Sequence, residues 1–301
     1  MKTALECIPC FVRQASEAVD MTDGDDLLKE RLLRRLLQDI ANADWAVTPV
    51  TIAQHIQRTV REDTGQADPY RALKDRMNQI ALDLLPTLAN TIRSQPDRHE
   101  AIVRVAIAGN LLDAGSKLRL APEDLANRLN TIWDMPLTGN VEDLFRAAND
   151  ANHILYLADN AGEIVFDRLL LEALPIGKIT VAVRGAPVIN DATMEDAKIA
   201  GIIKIVPVIS NGSDAPGSVV EECSQEFRDC FNRADLIISK GQGNYETLSD
   251  AHKHIFFLLS VKCPMIAADI GAPEGALVVK QSQCQLKNES RKIFSTAARN
   301  V

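Results

Sequence analysis

The sequence predicts an α/β protein: a mostly parallel sheet core, with an all-helical N-terminal part ahead of it. Three observations carry this prediction. Apolar residues recur at three-to-four spacing over residues 1–150. After residue 150 they gather instead into short β-prone runs. Helix-compatible segments separate most of those runs, the alternation expected of parallel βαβ units with both faces covered. The division falls at residues 1–150 for the helical part and 151–301 for the core.

In the helical part, Leu27, Leu28, Leu32, Leu33, Leu36, Leu37 and Ile40 form one amphipathic stripe. Thr48-Pro49 reads as an N-cap followed by proline at the first helical position, opening a helix toward Thr64-Gly65. Asp68-Pro69 opens another through Tyr70, Leu73, Met77, Ile80 and Leu84, with a bend expected at Pro86. Ala121-Pro122-Glu123 and Thr138-Gly139-Asn140 start two more. In the core, strands are expected in the runs 153–158, 178–183, 202–208, 235–239 and 255–268, with helices over 163–173, 191–200 and 217–233 between them.

The chain carries 33 basic against 41 acidic residues, a net charge of −8, and no basic cluster, which argues against binding a nucleic-acid backbone. Aromatic residues make up 4%, too few for a base-stacking surface. No apolar run approaches the roughly 18 residues that span a bilayer, and the N-terminus lacks the apolar segment of a signal peptide. The six cysteines, at 7, 10, 223, 230, 263 and 284, form no disulfide framework in a chain this long, and a reducing compartment follows. These features together predict a soluble, cytoplasmic protein with no membrane partner.

Polar constellations follow four of the expected strands: Asp159-Asn160-Ala-Gly-Glu163, Arg184 through Thr193, Asn211-Gly-Ser-Asp214, and Lys240-Gly241-Gln242-Gly243-Asn244-Tyr-Glu246. In a parallel sheet such loops share one edge, where open α/β sheets bind ligands. Asp159, Asn160 and Asp191 offer only oxygen ligands, which suits a hard cation such as Mg²⁺ or Mn²⁺. Lys240 sits in a Gly-X-Gly neighbourhood, where backbone N–H groups and an ammonium can meet a phosphoryl group. Each motif also has a plain structural use. Asp159-Asn160 and Asn190-Asp191 can serve as helix caps or Asx turns, and the Lys240 turn as an ordinary strand exit. Their co-occurrence at successive strand ends favours a site. The histidines, His55, His99, His153, His252 and His254, lack ligand spacing and read as surface or packing residues.

Taken in order, these motifs resemble the metal-dependent damage-control phosphatases, also called acidic-residue-methyltransferase-like proteins. The likeness extends through Cys7-Ile-Pro-Cys10, Asp68-Pro69-Tyr70 with Lys74 and Asn78, Ala108-Gly109-Asn110, and Cys263-Pro264 through Gly275, from about residue 7 to about residue 280. The resemblance implies a three-layer α/β/α core and a divalent metal (Mn²⁺, Co²⁺, Ni²⁺ or Mg²⁺) held at Asp159, Asn160 and Asp191. It implies that Glu163 and the loop Lys240, Gly241, Gln242, Gly243 and Asn244 contact substrate or phosphate, and that Asn110 faces the site. It implies hydrolysis of small phosphorylated metabolites, such as sugar phosphates or damaged cofactor-related phosphates, with Asp159, Asn160, Asp191 and Lys240 as the catalytic set. Cys7 and Cys10 fit either buried thiols near the site or a redox or metal role; no strand precedes them, and no second Cys-x-x-Cys exists to complete a zinc site. A non-catalytic binder of a phosphometabolite or nucleotide would use the same residues. An S-adenosylmethionine-dependent carboxyl methyltransferase is disfavoured, because the first strand lacks a following Gly-x-Gly.

Overall fold

The computed structural model describes residues 1–109 and 131–282. The N-terminal helices are α1 (Ile8–Asp20), α2 (Asp26–Ala41), α3 (Pro49–Thr64), α4 (Arg71–Ser94) and α5 (Arg98–Ala108). Thr48 caps α3 as expected, its hydroxyl accepting from the Thr51 N–H at 3.3 Å, and Gly65 ends that helix in the left-handed region. Pro86 does not end α4, which continues past it to Ser94. Phe11, Ala15, Leu32, Leu36, Ile56 and Val60 pack α1, α2 and α3 around a small core of their own.

The remaining elements alternate: β1 (Leu137–Gly139), α6 (Val141–Asp150), β2 (Ile154–Leu157), α7 (Glu163–Ala173), β3 (Ile179–Val183), α8 (Met194–Ile199), β4 (Val208–Ser210), α9 (Gln225–Arg233), β5 (Leu236–Lys240), α10 (Gln242–Leu248), β6 (Ile255–Ser260), α11 (Pro264–Ile270) and β7 (Leu277–Gln281). They build a seven-stranded sheet in the order β1-β7-β6-β5-β2-β3-β4. The five strands β2 to β6 run parallel; β7 is antiparallel to β6, and β1 runs beside β7 in the same direction. Successive residues of β2 enter opposite cores. Ile154 and Tyr156 join α4, α5 and α7 on one face, while Leu155 and Leu157 join Phe227, Phe231, Tyr245 and Ile266 on the other. This gives the three layers.

The structure departs from the sequence reading in places. The run 202–208 splits into a short 3₁₀ turn, Ile202–Lys204, and a late strand. The run 255–268 ends as a strand at Ser260, because Pro264 opens a helix instead. Residues 137–139 and 277–281 add two strands that the alternation did not signal, an edge strand and the strand beside it; the first of them lies within the part read as helical. The expected start at Ala121-Pro122-Glu123 lies outside the described residues. Among the described residues no helix is long and apolar enough to cross a membrane.

Helix α3 is tied to the exit of β4 through Asp214, on which Arg58, Arg61 and Gln54 all converge. Burial pushes the Asp214 carboxyl up, but hydrogen bonds from Arg58 and Gln54 and the charges of Arg58 and Arg61 more than reverse this, leaving it at about 2. A carboxyl held below its unfolded value stabilises the fold above about pH 4, and that stability disappears as pH falls toward 2. Each unit is worth about 1.4 kcal/mol, and partial solvent access reduces the total to about 1–2 kcal/mol. Asp214→Asn should therefore cost about 1–2 kcal/mol at pH 7 in urea denaturation, with the gap to wild type closing as pH falls below 4.

Candidate active site

The sheet reverses its order of construction between β2 and β5, the switch point at which doubly wound folds open a crevice. Asp159 and Asn160 leave β2 there, and the loop after β3 returns to meet them. The Asn160 and Asp191 backbones form an antiparallel bridge, with the Ala192 N–H donating to the Asp159 carbonyl at 2.7 Å and the Ala161 N–H to the Asn190 carbonyl at 2.8 Å. Two acids and an amide some thirty positions apart are thereby brought together.

Capping does not explain these residues. Helix α7 begins behind Gly162 with no side-chain cap, and α8 is capped by the reciprocal Thr193–Asp196 box. Ile189, in the turn that delivers Asp191, has φ +44°, an uncommon conformation for a β-branched residue. It packs against the core formed by α1, α2 and α3.

Arg184 spans both acids. Its Nε donates to Asp191 Oδ2 at 2.6 Å, and its Nη2 lies 3.8 Å from Asp159 Oδ1. Its Nη1 reaches the Gly217 carbonyl and Asn244 Oδ1, each at 3.1 Å. The Asn160 amide nitrogen donates to Asp159 Oδ2 at 2.8 Å and to Glu163 Oε2 at 3.0 Å, which leaves its oxygen as the atom available to a cation or ligand.

Lys240 departs from expectation. Its ammonium does not face the cleft but is wholly buried, donating to Glu163 Oε1 and Asp167 Oδ1 at 2.6 Å and to the Ala106 carbonyl at 2.8 Å. Its three protons are thus matched by three acceptors, so it acts beneath the site rather than on phosphate. Glu163 is likewise buried, dividing its oxygens between Lys240 and Asn160. Asn244 also holds structure together: it accepts from Arg184 and Ser218 and donates to the Ala158 and Lys240 carbonyls. Gly241 has φ +80° and ψ 166°, a region open essentially to glycine alone, and a Cβ there would overlap the Asp159 carboxylate. Gln242 and Gly243 do line the cleft; Asn110 lies outside the described residues.

Among the described residues, the buried carboxylates of Asp159, Glu163, Asp167 and Asp191 face two buried cations at this edge, Lys240 and Arg184. The formal deficit among these buried groups is two positive charges, which the charge of the exposed Lys262 only partly offsets. Burial, then the charge of Glu163, pushes the Asp159 carboxyl up to about 7, against the pull of Arg184, Lys262 and Lys240. Burial also raises Glu163 and Asp167, with Lys240 opposing it. A divalent cation among oxygen donors fits this deficit in charge and in hardness. Among the described residues no group of three His, Cys, Asp or Glu side chains is placed to hold a metal ion; Asp159, Asn160 and Asp191 would offer two carboxylates and an amide.

The cleft above has a volume of about 620 Å³. Asp159, Asn160 and Asp191 line it together with Lys262, which the sequence reading missed because its strand was drawn through 268. Arg184 was seen only as part of a loop, since an arginine after a strand ordinarily reads as surface. Cys7, Cys10 and Cys263 also line the cleft, and Cys7 Sγ lies 3.7 Å from Met265 Sδ. Asp214 and Asn211, in the third constellation, serve the fold instead.

A three-layer sheet that presents acids and an amide at its switch point, with arginine and lysine beside them, defines a protein of the phosphoryl-handling α/β class. The chain belongs to the damage-control phosphatase ARMT1-like domain family, whose pattern matches residues 3–278. It is 33% identical to a damage-control phosphatase of Pyrococcus horikoshii, over 95% of this chain and 100% of that one. It is 35% identical to a damage-control phosphatase of Archaeoglobus fulgidus, over 93% and 99%. The crystal structure of a DUF89 family protein from P. horikoshii superposes with a TM-score of 0.83 at 33% identity, over 94% of this chain and 100% of that one.

Lys240→Met strands two buried carboxylates without their cation, at an expected cost of about 3–5 kcal/mol in urea denaturation. Because burial raises both carboxyls, the cost should be smaller at pH 5 than at pH 8, where they must stay charged. An unchanged stability would contradict the buried triad.

Proposed function

We propose that this chain is a metal-dependent phosphatase that hydrolyses phosphomonoesters of small metabolites, with Asp159, Asn160 and Asp191 holding one divalent cation. The observation that carries this reading is the backbone bridge between Asn160 and Asp191, which gathers the three donors at the floor of the cleft. Family membership and relatives named damage-control phosphatases support the hydrolytic activity. When bound, Mn²⁺, Co²⁺, Ni²⁺ or Mg²⁺ supplies Lewis-acid polarisation of a phosphoryl oxygen and of the attacking water.

The chain's own residues do the remainder. Arg184 holds Asp191 at 2.6 Å and lies near Asp159, so the acids keep one orientation. Glu163, fixed by Lys240, turns the Asn160 nitrogen inward. Lys262, an exposed cation on the cleft rim, is placed to meet phosphoryl charge. Gln242 and Gly243 line the same cleft, where they can contact the bound metabolite. The free thiols among the described residues suit a reducing, cytoplasmic setting.

Phosphate release from a panel of sugar and nucleotide phosphates, with each of the four metals, tests the proposal. Asp159→Ala and Asp191→Ala should each lower kcat/KM by about 10²-fold or more, in line with the loss of one preorganised charge contact. Saturable binding of a phosphometabolite without release would favour the non-catalytic reading. Because the metal-free Asp159 carboxyl titrates at about 7, cation affinity should fall as pH drops below 7, by up to about tenfold per unit, when followed by calorimetry.

A further inference from the structure

The geometry points to Asn78 of α4 as the positioning residue that sets the two acid-bearing loops against each other. The N-terminal helical part is thereby a component of the site. This inference rests on the cation-binding reading of Asp159, Asn160 and Asp191.

Asn78 is wholly buried. Its Oδ1 accepts from the Gly162 N–H at 2.7 Å, closing the loop that carries Asp159 and Asn160. Its Nδ2 donates to Asp196 Oδ1 at 2.9 Å. Asp196 Oδ2 in turn accepts from the Thr193 N–H at 2.9 Å and the Thr193 hydroxyl at 2.7 Å, closing the loop that carries Asp191. One planar amide thus spans both loops, separated from its two partners by 84 and 118 positions in the chain.

The polarity of this link is fixed. A backbone N–H asks for an acceptor at one end, and a carboxylate asks for a donor at the other. Asparagine supplies both across one short side chain. Aspartate would satisfy Gly162 but set two carboxylates against each other at Asp196. Arg71 and Lys74, on the same helix face as Asn78, lie 3.0 and 3.6 Å from Asp196, so the pair sits in a cationic surround. That surround makes an exchange of roles possible. With aspartate at 78 and asparagine at 196, the carboxylate accepts from Gly162 and from the new amide, and the new amide's oxygen accepts from Thr193; the new amide's nitrogen would face Arg71 Nη2, which donates to Asp196 Oδ1 at 3.0 Å, so the exchange also needs Arg71 shortened.

The test compares Asn78→Asp, Asp196→Asn and the double exchange, each made in an Arg71→Ala background that removes the guanidinium facing position 196 and serves as the reference. Hydrogen exchange is read in metal-free protein over residues 158–165 and 188–197, with Mn²⁺ affinity read by calorimetry and Tm alongside. Asn78→Asp should speed exchange in both loops and weaken Mn²⁺ binding by about tenfold or more, the usual effect of losing a partner behind a metal ligand. The double exchange should restore both readouts. A fall in Tm with unchanged loop exchange and unchanged affinity would make Asn78 a packing residue only and overturn the proposal, as would failure of the double exchange to recover either readout. Should Asn78→Asp not fold, the double exchange alone decides: it must fold and bind Mn²⁺. A wild-type protein that binds no Mn²⁺ would defeat the cation reading, while loop exchange would still decide the role of Asn78.

Discussion

An excess of buried negative charge at the switch-point edge governs the rest of this structure. Among the described residues, four carboxylates lie out of water beside two buried cations, Lys240 and Arg184, with the exposed Lys262 adding its charge from the cleft. Unpaired buried carboxylates are expensive, and a protein tolerates them where something else completes the charge or where they take up protons. Both responses are visible: Asp159 is held near neutrality in its titration, and its carboxylate stands at the floor of an open cleft. The tight loop at Gly241, the span of Arg184 and the triad beneath Glu163 all hold that charge in one place.

Much of this was legible in the residues. Strand–helix alternation gave the layers, because strands covered on both faces read as continuous apolar runs. The acids and the amide could be picked out because such polar groups recurred at successive strand ends; their alternative use as caps was settled by the structure, where the caps proved to be Thr193 and a bare Gly162. Strands β1, at the sheet edge, and β7, beside it, escaped notice since runs of three to five residues carry little pattern. Lys240 was misplaced for a different reason. A lysine beside glycines looks the same in sequence whether its ammonium meets a phosphate or two carboxylates folded in from α7, and only the tertiary contact separates the two. Arg184 and Lys262 were passed over because a single basic residue at a strand exit has no distinguishing spacing.

The two parts of the chain are less separable than their textures suggest. Asp214 gathers Arg58, Arg61 and Gln54 from α3 at the rim of the sheet, and Cys7, Cys10 and Phe11 of α1 form a wall of the cleft. Helical segments that look like an independent bundle in sequence thus contribute residues to the same cleft as the loops of the sheet.

Ile189 carries one more implication. Its left-handed backbone costs about 1–3 kcal/mol and persists because its side chain is gripped by the small core of α1, α2 and α3. That turn delivers Asp191. The register of the acid pair therefore leans on the docked bundle as well as on the sheet, so a substitution that loosens α1, α2 or α3 would reach Asp191 without touching the cleft.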